Sequence, residues 1–454
     1  MTAQTAQTAQ TAQTAQTAQT AQTADRTMLL VGGTDQHLER AKALGVRVVL
    51  LQHPDKINAF QTGTADALLM VDYTDWDTVR PLAEAAREVW AFDAVVSLTE
   101  GGLDIAARLN EHFGFPGTRP EVSRRLRNKA LMRQHLRDRG ASTMHWDRVT
   151  DRESLEDFAR LAGFPFIVKP TDATASFGLI RVADAGALDA AWERIEELRG
   201  RRTDRGSTLF TVHEFLMESY LDGPEFSVEA FSFAGRHVVV AVTEKLVDDS
   251  HFAELGHALP ARLAPEAHAR ITSAVTGFLD AMGVADGPSH TELRLGSRGP
   301  AVIESHNRVG GGHINELVEA AYGIDLIGYG VAWPMGLVEA LPEPPAARAG
   351  ACTRFVLRDP GTVTAVSGVE EIAARADVLA VEVSVRPGDP VRPLRDNWDR
   401  LGFAAVTAAD TDAAVALCER LTGEIRIDVA PHAPDGAAGP DRSAVATHDM
   451  EVAA

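Results

Sequence analysis

Cysteine is nearly absent from this chain of 454 residues. The only two, Cys352 and Cys418, form neither a metal-ligand pattern nor a disulfide framework, which fits a reducing, cytoplasmic setting. Basic residues are scarce relative to acids, with 44 Lys plus Arg against 64 Asp plus Glu and a formal net charge of −20. Phosphate backbones and anionic membranes are held mainly by Lys and Arg, so no nucleic-acid or membrane partner is expected, and a polyphosphate ligand needs a local basic site. Long apolar runs are missing as well. The longest uncharged, mostly apolar stretch, Leu326 to Val338, is too short and too broken by glycine and proline to span a bilayer. What remains is 45% hydrophobic and 24% charged, a globular composition whose length suggests about three packed units.

Residues 2 to 22 are seven TAQ triplets without an apolar core, so residues 1–27 read as a solvated tail and not as a signal peptide. Residues 431–454, rich in Ala, Pro, Gly and Asp, are expected to be unstructured too. From Met28 short β-rich runs (MLLVGG, VRVVLLQ, AVVSLTE) alternate with helical stretches. That order implies βαβ units and a parallel sheet, an α/β domain over residues 28–120. Gly32 and Gly33 invite a dinucleotide site and an oxidoreductase. Position 37, however, is His where GxGxxG needs glycine, and a tight strand-to-helix turn is the simpler reading.

The segment Ser123 to Gly140 carries seven basic side chains and one acid, Asp138, and reads as one helix opened by Ser123 and closed by Gly140. Alone, such a run is usually a solvated face. After it comes FPFIVKPTDATASFGLIRV, in which a β-rich run ends in Lys169 and a loop of small and hydroxyl residues spans Thr171 to Gly178. Such a loop lets backbone N–H groups approach phosphate oxygens, and the nearby lysine supplies charge, although a flexible hairpin has the same composition. It is not a Walker A loop, because the lysine precedes it and strands flank it. In HEFLMESYLDGPEFSVEAF and HVVVAV, alternation indicates antiparallel strands, so this part is α+β. Glu214, before Phe215 and Leu216, is either an acid reading the edge of an adenine or an ordinary surface glutamate.

The stretch Ser289 to Gly323 concentrates the chemistry. Glu292 and Glu304 end two runs separated by GSRGP, and a hairpin there brings them side by side. Facing carboxylates need a cation between them, and hard oxygen ligands select Mg²⁺, which binds nucleotide phosphates. Arg308 adds a positive fork, and Gly310 to Gly312 precede a helix whose N-terminus suits a carboxylate or phosphate. His306 and His290 fall in the same region, as candidate site residues.

Taken in order, the basic helix with Lys129, Lys169 before its small-residue loop, HEFLMESYLDGPEFSVE, Lys245 and the Glu292…Glu304-x-x-x-Arg308 hairpin resemble the ATP-grasp superfamily. Within it the chain looks most like the bacterial L-amino acid ligases, over residues 28 to 430. The resemblance implies a Rossmann-like domain (28–120), a linker helix and lid (121–213), a catalytic subdomain (214–345) and a C-terminal extension (346–430) entered through the linker Leu341 to Arg348. It also implies ATP and Mg²⁺, with two ions and Mn²⁺ as a substitute, amino-acid substrates, and a homodimer.

By the same resemblance, Lys129, Lys169 and Lys245 contact the ATP phosphates, and the loop with Ser176 and Gly178 closes over them. Glu214, Phe215 and Leu216 hold adenine, and Glu225 the ribose. Glu292 and Glu304 ligate metal. Many members have E-x-N-x-R, whereas here His306 stands at the Asn position and Asn307 follows, which leaves the third ligand between them. Arg308 and Lys245 serve catalysis, and Arg308, Gly311, Gly312 and His290 face substrate. The expected reaction is amide formation through an acyl phosphate. Rivals are an ATP-grasp carboxylase or purine-pathway enzyme using bicarbonate or formate, and a non-catalytic ATP-binding regulatory protein, which should lack a metal carboxylate or the arginine.

Overall fold

The computed structural model describes residues 26–142, 144–201 and 211–431. The two expected tails therefore lie outside the described residues apart from Arg26, Thr27 and Pro431, and Thr27 already belongs to the first strand, Thr27–Val31. This strand lies inside a parallel sheet ordered Ala67–Met70, Arg47–Gln52, Thr27–Val31, Ala94–Val96. Its side chains alternate between two cores. Met28 and Leu30 pack toward the large sheet, while Leu29 and Val31 pack with Tyr73, Val79 and Phe92, so both faces are covered as a parallel sheet requires. Gly32 turns out of the strand at φ +63°, where a Cβ would meet the Tyr73 hydroxyl at 2.7 Å. The helix Asp35–Ala43 follows, capped by Thr34, and His37 Nδ1 accepts the Thr34 N–H at 3.2 Å. The histidine at the missing-glycine position thus completes a helix cap.

The basic segment folds as two helices, Pro120–Arg127 and Lys129–Asp138, not one. Asn128 leaves helical geometry at φ −99°, ψ 108°, and its side chain caps the second helix by accepting from Leu131 N–H at 3.0 Å. The break lets the Lys129 N–H donate to Thr171 O at 2.8 Å, tying this helix to the lid loop. Ser123 lies inside the first helix, buried, and donates to Asp104 at 2.8 Å.

The lid is an antiparallel sheet ordered Trp146–Arg148, Phe215–Ser219, Phe166–Pro170, Ile180–Val182. It has its own core, with Leu155, Phe158, Val168, Ile195 and Met217. Phe215–Ser219 is one of its strands, so the lid extends past the expected limit at residue 213.

The third unit is an eight-stranded antiparallel sheet. It runs Gly299–His306, Gly287–Gly296, Glu225–Phe233, Arg236–Val247, Glu254–Leu259, Gly350–Val356, Gly402–Ala408, Val378–Val383. The helix Pro265–Met282 covers one face through Ile271, Val275, Phe278, Leu279 and Met282, a 3.6-period stripe. Strands on both sides of the expected boundary at residue 346 share this sheet, because Glu254–Leu259 pairs directly with Gly350–Val356. The C-terminal extension is therefore continuous with the catalytic sheet, and a small sheet, Pro390–Val391, Gly361–Ser367, Arg426–Ala430, lies beyond it. Cys352 and Cys418 are free and buried in its core. Among the described residues, no helix is long and apolar enough to cross a membrane.

Candidate active site

The hairpin Gly287–Gly296 / Gly299–His306 places Glu292 opposite Glu304 and His290 opposite His306. A cleft opens over it, roofed by the lid and lined also by Lys129 and by Asn397, Trp398 and Arg400 of the C-terminal extension. Glu292 Oε1 lies 2.5 Å from Lys245 Nζ, and Glu304 Oε2 lies 2.7 Å from Lys129 Nζ. Burial works against charge on both acids, yet Lys245 and His290 hold the Glu292 carboxyl down at about 2, and Lys129 and His306 hold Glu304 well below the usual range. Two ionised carboxylates thus face each other across a ladder rung.

Lys245 is ringed by acids, with Glu254 Oε1 at 2.7 Å and Glu225 Oε1 at 3.2 Å besides Glu292. Burial alone would lower the ammonium, but these carboxylates raise it well above its ordinary value. Glu225 itself is raised by burial and also takes Arg294 Nε at 3.2 Å. Lys169 pairs with Glu218, whose other oxygen takes Arg133 Nε at 2.9 Å. Burial, only partly offset by this shared acid, pushes Lys169 below its ordinary value.

His306 stands between two acids, with Nδ1 3.0 Å from Glu100 Oε2 and Nε2 3.3 Å from Glu304 Oε1. Burial opposes its charge, but Glu100 raises it. Both ring nitrogens face carboxylates, so His306 bridges Glu100 and Glu304 at the position where the motif led to a metal ligand. Asn307, one residue on, faces the opposite side of the strand end and lines a separate cavity of about 210 Å³ with Ser97, Leu98 and Trp333. It does not fit the third-ligand position. Arg308 returns to the cleft, its Nε donating to Glu100 Oε2 at 2.8 Å and its Nη1 to Val309 O at 2.8 Å. His290 bridges Glu229 (2.8 Å) and Glu292 (3.3 Å) and is pushed up to about 9, burial being outweighed by these acids.

Among the described residues no group of three His, Cys, Asp or Glu side chains gathers as a metal cage. Two facing carboxylates nonetheless fit Mg²⁺, which keeps waters and takes its remaining ligands from nucleotide phosphates.

Other expected positions separate into two sets. Ser176 lines the cleft and donates to Phe252 O at 2.9 Å, and Gly311 and Gly312 line it as well. The helix after them begins only at Ile314, because His313 intervenes in a left-handed conformation, φ 67°. Gly178 shapes the loop at φ +70° but does not line the cleft. Glu214, Phe215 and Leu216 do not reach it. Glu214 is exposed and paired with Arg148, Phe215 sits in the lid core, and Leu216 is buried on the ladder between Arg148 and Lys169. The cleft is lined instead by Glu218, Ser219, Tyr220 and Leu221, four positions on, where the strand ends and the chain turns at DGPE. The sequence contains this second glutamate four positions before Asp222 of the turn, nearer the strand end than Glu214, which is the signal that separates the two. Glu100 and Arg400 were not foreseen as site residues, and each arrives from an element distant in sequence, whereas Arg133 lies one turn after Lys129 on the same helix and Glu254 falls in the expected loop region near Phe252 to His257.

The geometry defines a nucleotide-type cleft between a lid and a catalytic sheet. An ATP-grasp domain family model matches residues 162–316, the ATP-grasp N-terminal domain matches 38–117, and L-amino acid ligase C-terminal domain 2 matches 354–430. The chain thus carries ATP-grasp domains together with a C-terminal domain of the L-amino acid ligase type, and it is similar to ATP-grasp carboxylate–amine ligases. It is 27% identical to human carnosine synthase 1 (Homo sapiens) over 68% of this chain and 39% of that one. It is 25% identical to alanine–anticapsin ligase of Bacillus subtilis (strain 168) over 53% of each. It therefore spans about half or less of these curated relatives. The fold matches an L-amino acid ligase structure from Bacillus licheniformis with a TM-score of 0.75 at 23% identity, covering 89% of this chain and 99% of that one. Enzymes of this family use ATP and Mg²⁺.

Proposed function

We propose that this chain joins the carboxylate of an amino acid to the amine of a second small molecule through an acyl phosphate, releasing ADP and phosphate. The observation that carries this reading is the Glu292–Glu304 rung, each acid ionised and backed by its own lysine, with Arg308 four residues beyond. The name of the Bacillus relative, which describes alanine being joined to anticapsin, points the same way.

A carboxylate oxygen attacks the γ-phosphorus and ADP departs. The amine, having lost a proton, then attacks the acyl carbon and phosphate departs. Lys129, Lys169 and the Thr171 to Gly178 loop hold the phosphates, and the Glu218 to Leu221 segment meets adenine, with Glu225 at the ribose. Glu292 and Glu304 hold Mg²⁺, as two ions for which Mn²⁺ can substitute, and the metal when bound neutralises phosphate charge. Lys245 anchors Glu225, Glu254 and Glu292 in place. Arg308, oriented by Glu100, carries the negative charge of the acyl phosphate and of the tetrahedral oxygen. The working form is a homodimer in the cytoplasm.

Two variants test these roles apart. Glu304→Gln loses metal-dependent turnover. Arg308→Ala keeps ATP binding by calorimetry while amide formation falls about 10²–10³-fold. Full activity in Arg308→Ala would remove the arginine from the chemistry and the reading with it.

A further inference from the structure

An amino acid that acts as the amine partner brings a carboxylate that is not consumed, and a buried cleft must neutralise it. Lys129, Lys169 and Arg308 each lean on an acid of the phosphate side, namely Glu304, Glu218 and Glu100. One further cation enters the cleft from the C-terminal extension. Arg400 lines it together with Asn397 and Trp398, and its side chain is only 10% exposed.

Its setting is rigid and only partly neutralised. The guanidinium lies on the Phe355 ring at 3.7 Å, and the Leu401 N–H donates to Val356 O at 2.9 Å, so ring and backbone fix the plane. Nη1 alone makes contacts, at 3.4 Å to the Glu254 carbonyl and 3.5 Å to Glu254 Oε2. That carboxylate is already engaged by Lys245 at 2.7 Å and Asn397 Nδ2 at 3.2 Å. Nε and Nη2 make no hydrogen bond among the described residues, which leaves a donor edge of the planar fork unclaimed. Burial, outweighing Glu254 and Asp396, pushes Arg400 down to about 10, as expected for an under-compensated cation. Phe355 also meets the His257 ring edge-on at 5.8 Å, and His257 Nδ1 lies 3.1 Å from Gly312 O. A continuous wall therefore runs from Arg400 to the glycines that follow Arg308.

We infer that Arg400 is a specificity-determining residue that binds the spectator carboxylate of an amino acid serving as the amine partner. The inference rests on the proposed ligase reading and adds to it the class of the second substrate. The C-terminal extension then supplies part of the acceptor site, and Asn397, whose N–H donates to Ala175 O at 3.3 Å, joins that site to the lid loop.

The test compares amine partners with and without the carboxylate: L-alanine with ethylamine, L-phenylalanine with 2-phenylethylamine, L-histidine with histamine. Each is assayed with Mg-ATP and the twenty amino acids in turn as acid partner. The unaltered enzyme should favour the carboxylate-bearing amine about 10–100-fold in kcat/KM, the range of a charged hydrogen bond. Arg400→Gln should erase this preference through KM with the KM for ATP unchanged, and Arg400→Lys should retain part of it. A preference intact in Arg400→Gln, or a raised KM for ATP with preference intact, overturns the inference and leaves the ligase reading standing. No amide from any pair with the unaltered enzyme overturns the ligase reading itself.

Discussion

Lys245 and Lys169 are both buried lysines on the cleft, yet their surroundings differ in sign. Lys245 touches three carboxylates and is raised well above its ordinary value, whereas Lys169 shares one carboxylate with Arg133 and is lowered by burial. A cation with more acid than it needs holds acids in position. One with less than it needs has charge left for an anionic ligand. The floor of the cleft is thus organised around Lys245, and the under-compensated Lys169 on its roof suits the phosphate contact proposed for it.

Removing the saturated lysine should produce the largest effect. Lys245→Met leaves Glu225, Glu254 and Glu292 buried without their common partner and should cost about 3–5 kcal/mol, read by thermal or denaturant unfolding, with turnover lost. Lys169→Met should hardly lower stability, because Glu218 keeps Arg133, while the KM for ATP rises about 10–100-fold. Equal destabilisation by the two substitutions would break the comparison. Glu218→Gln sharpens it further. It loosens Arg133, which also donates to Val302 O at 3.0 Å and Ile303 O at 2.8 Å, and so loosens the lid from the hairpin, with weaker ATP binding by calorimetry. Glu214→Gln, on an exposed pair with Arg148, should change stability by less than about 1 kcal/mol and leave ATP binding unchanged.

How far the site was legible in the sequence follows from the range of the forces that build it. The hairpin was visible because alternation and a Gly-rich turn fix it locally, but the turn's own register would set Glu292 opposite Ile303, and a one-residue register shift between Glu292 and Leu293 brings it opposite Glu304. Lys169 was visible for a similar reason, since it sits at a strand end before a loop of small residues. Glu214, expected at the cleft, lies outside it, and the strand enters the cleft only from Glu218, four residues on. Glu214 and Glu218 have the same strand parity, and only the point where Phe215–Ser219 ends puts the second at the cleft. The break at Asn128 had a local signal, an N-cap residue inside a basic run, which the charge pattern obscured. Glu100 and Arg400 carried none. Glu100 reaches Arg308 across 208 positions, and Arg400 reaches Glu254 across 146, so both depend on the tertiary fold.

The most direct test of the ligase reading is phosphate release from Mg-ATP against single amino acids and pairs, with product masses read from the same wells. The account predicts release that depends on a pair, accompanied by ADP and a condensed mass. Release with bicarbonate alone, or ATP binding by calorimetry without release from any pair, would contradict it.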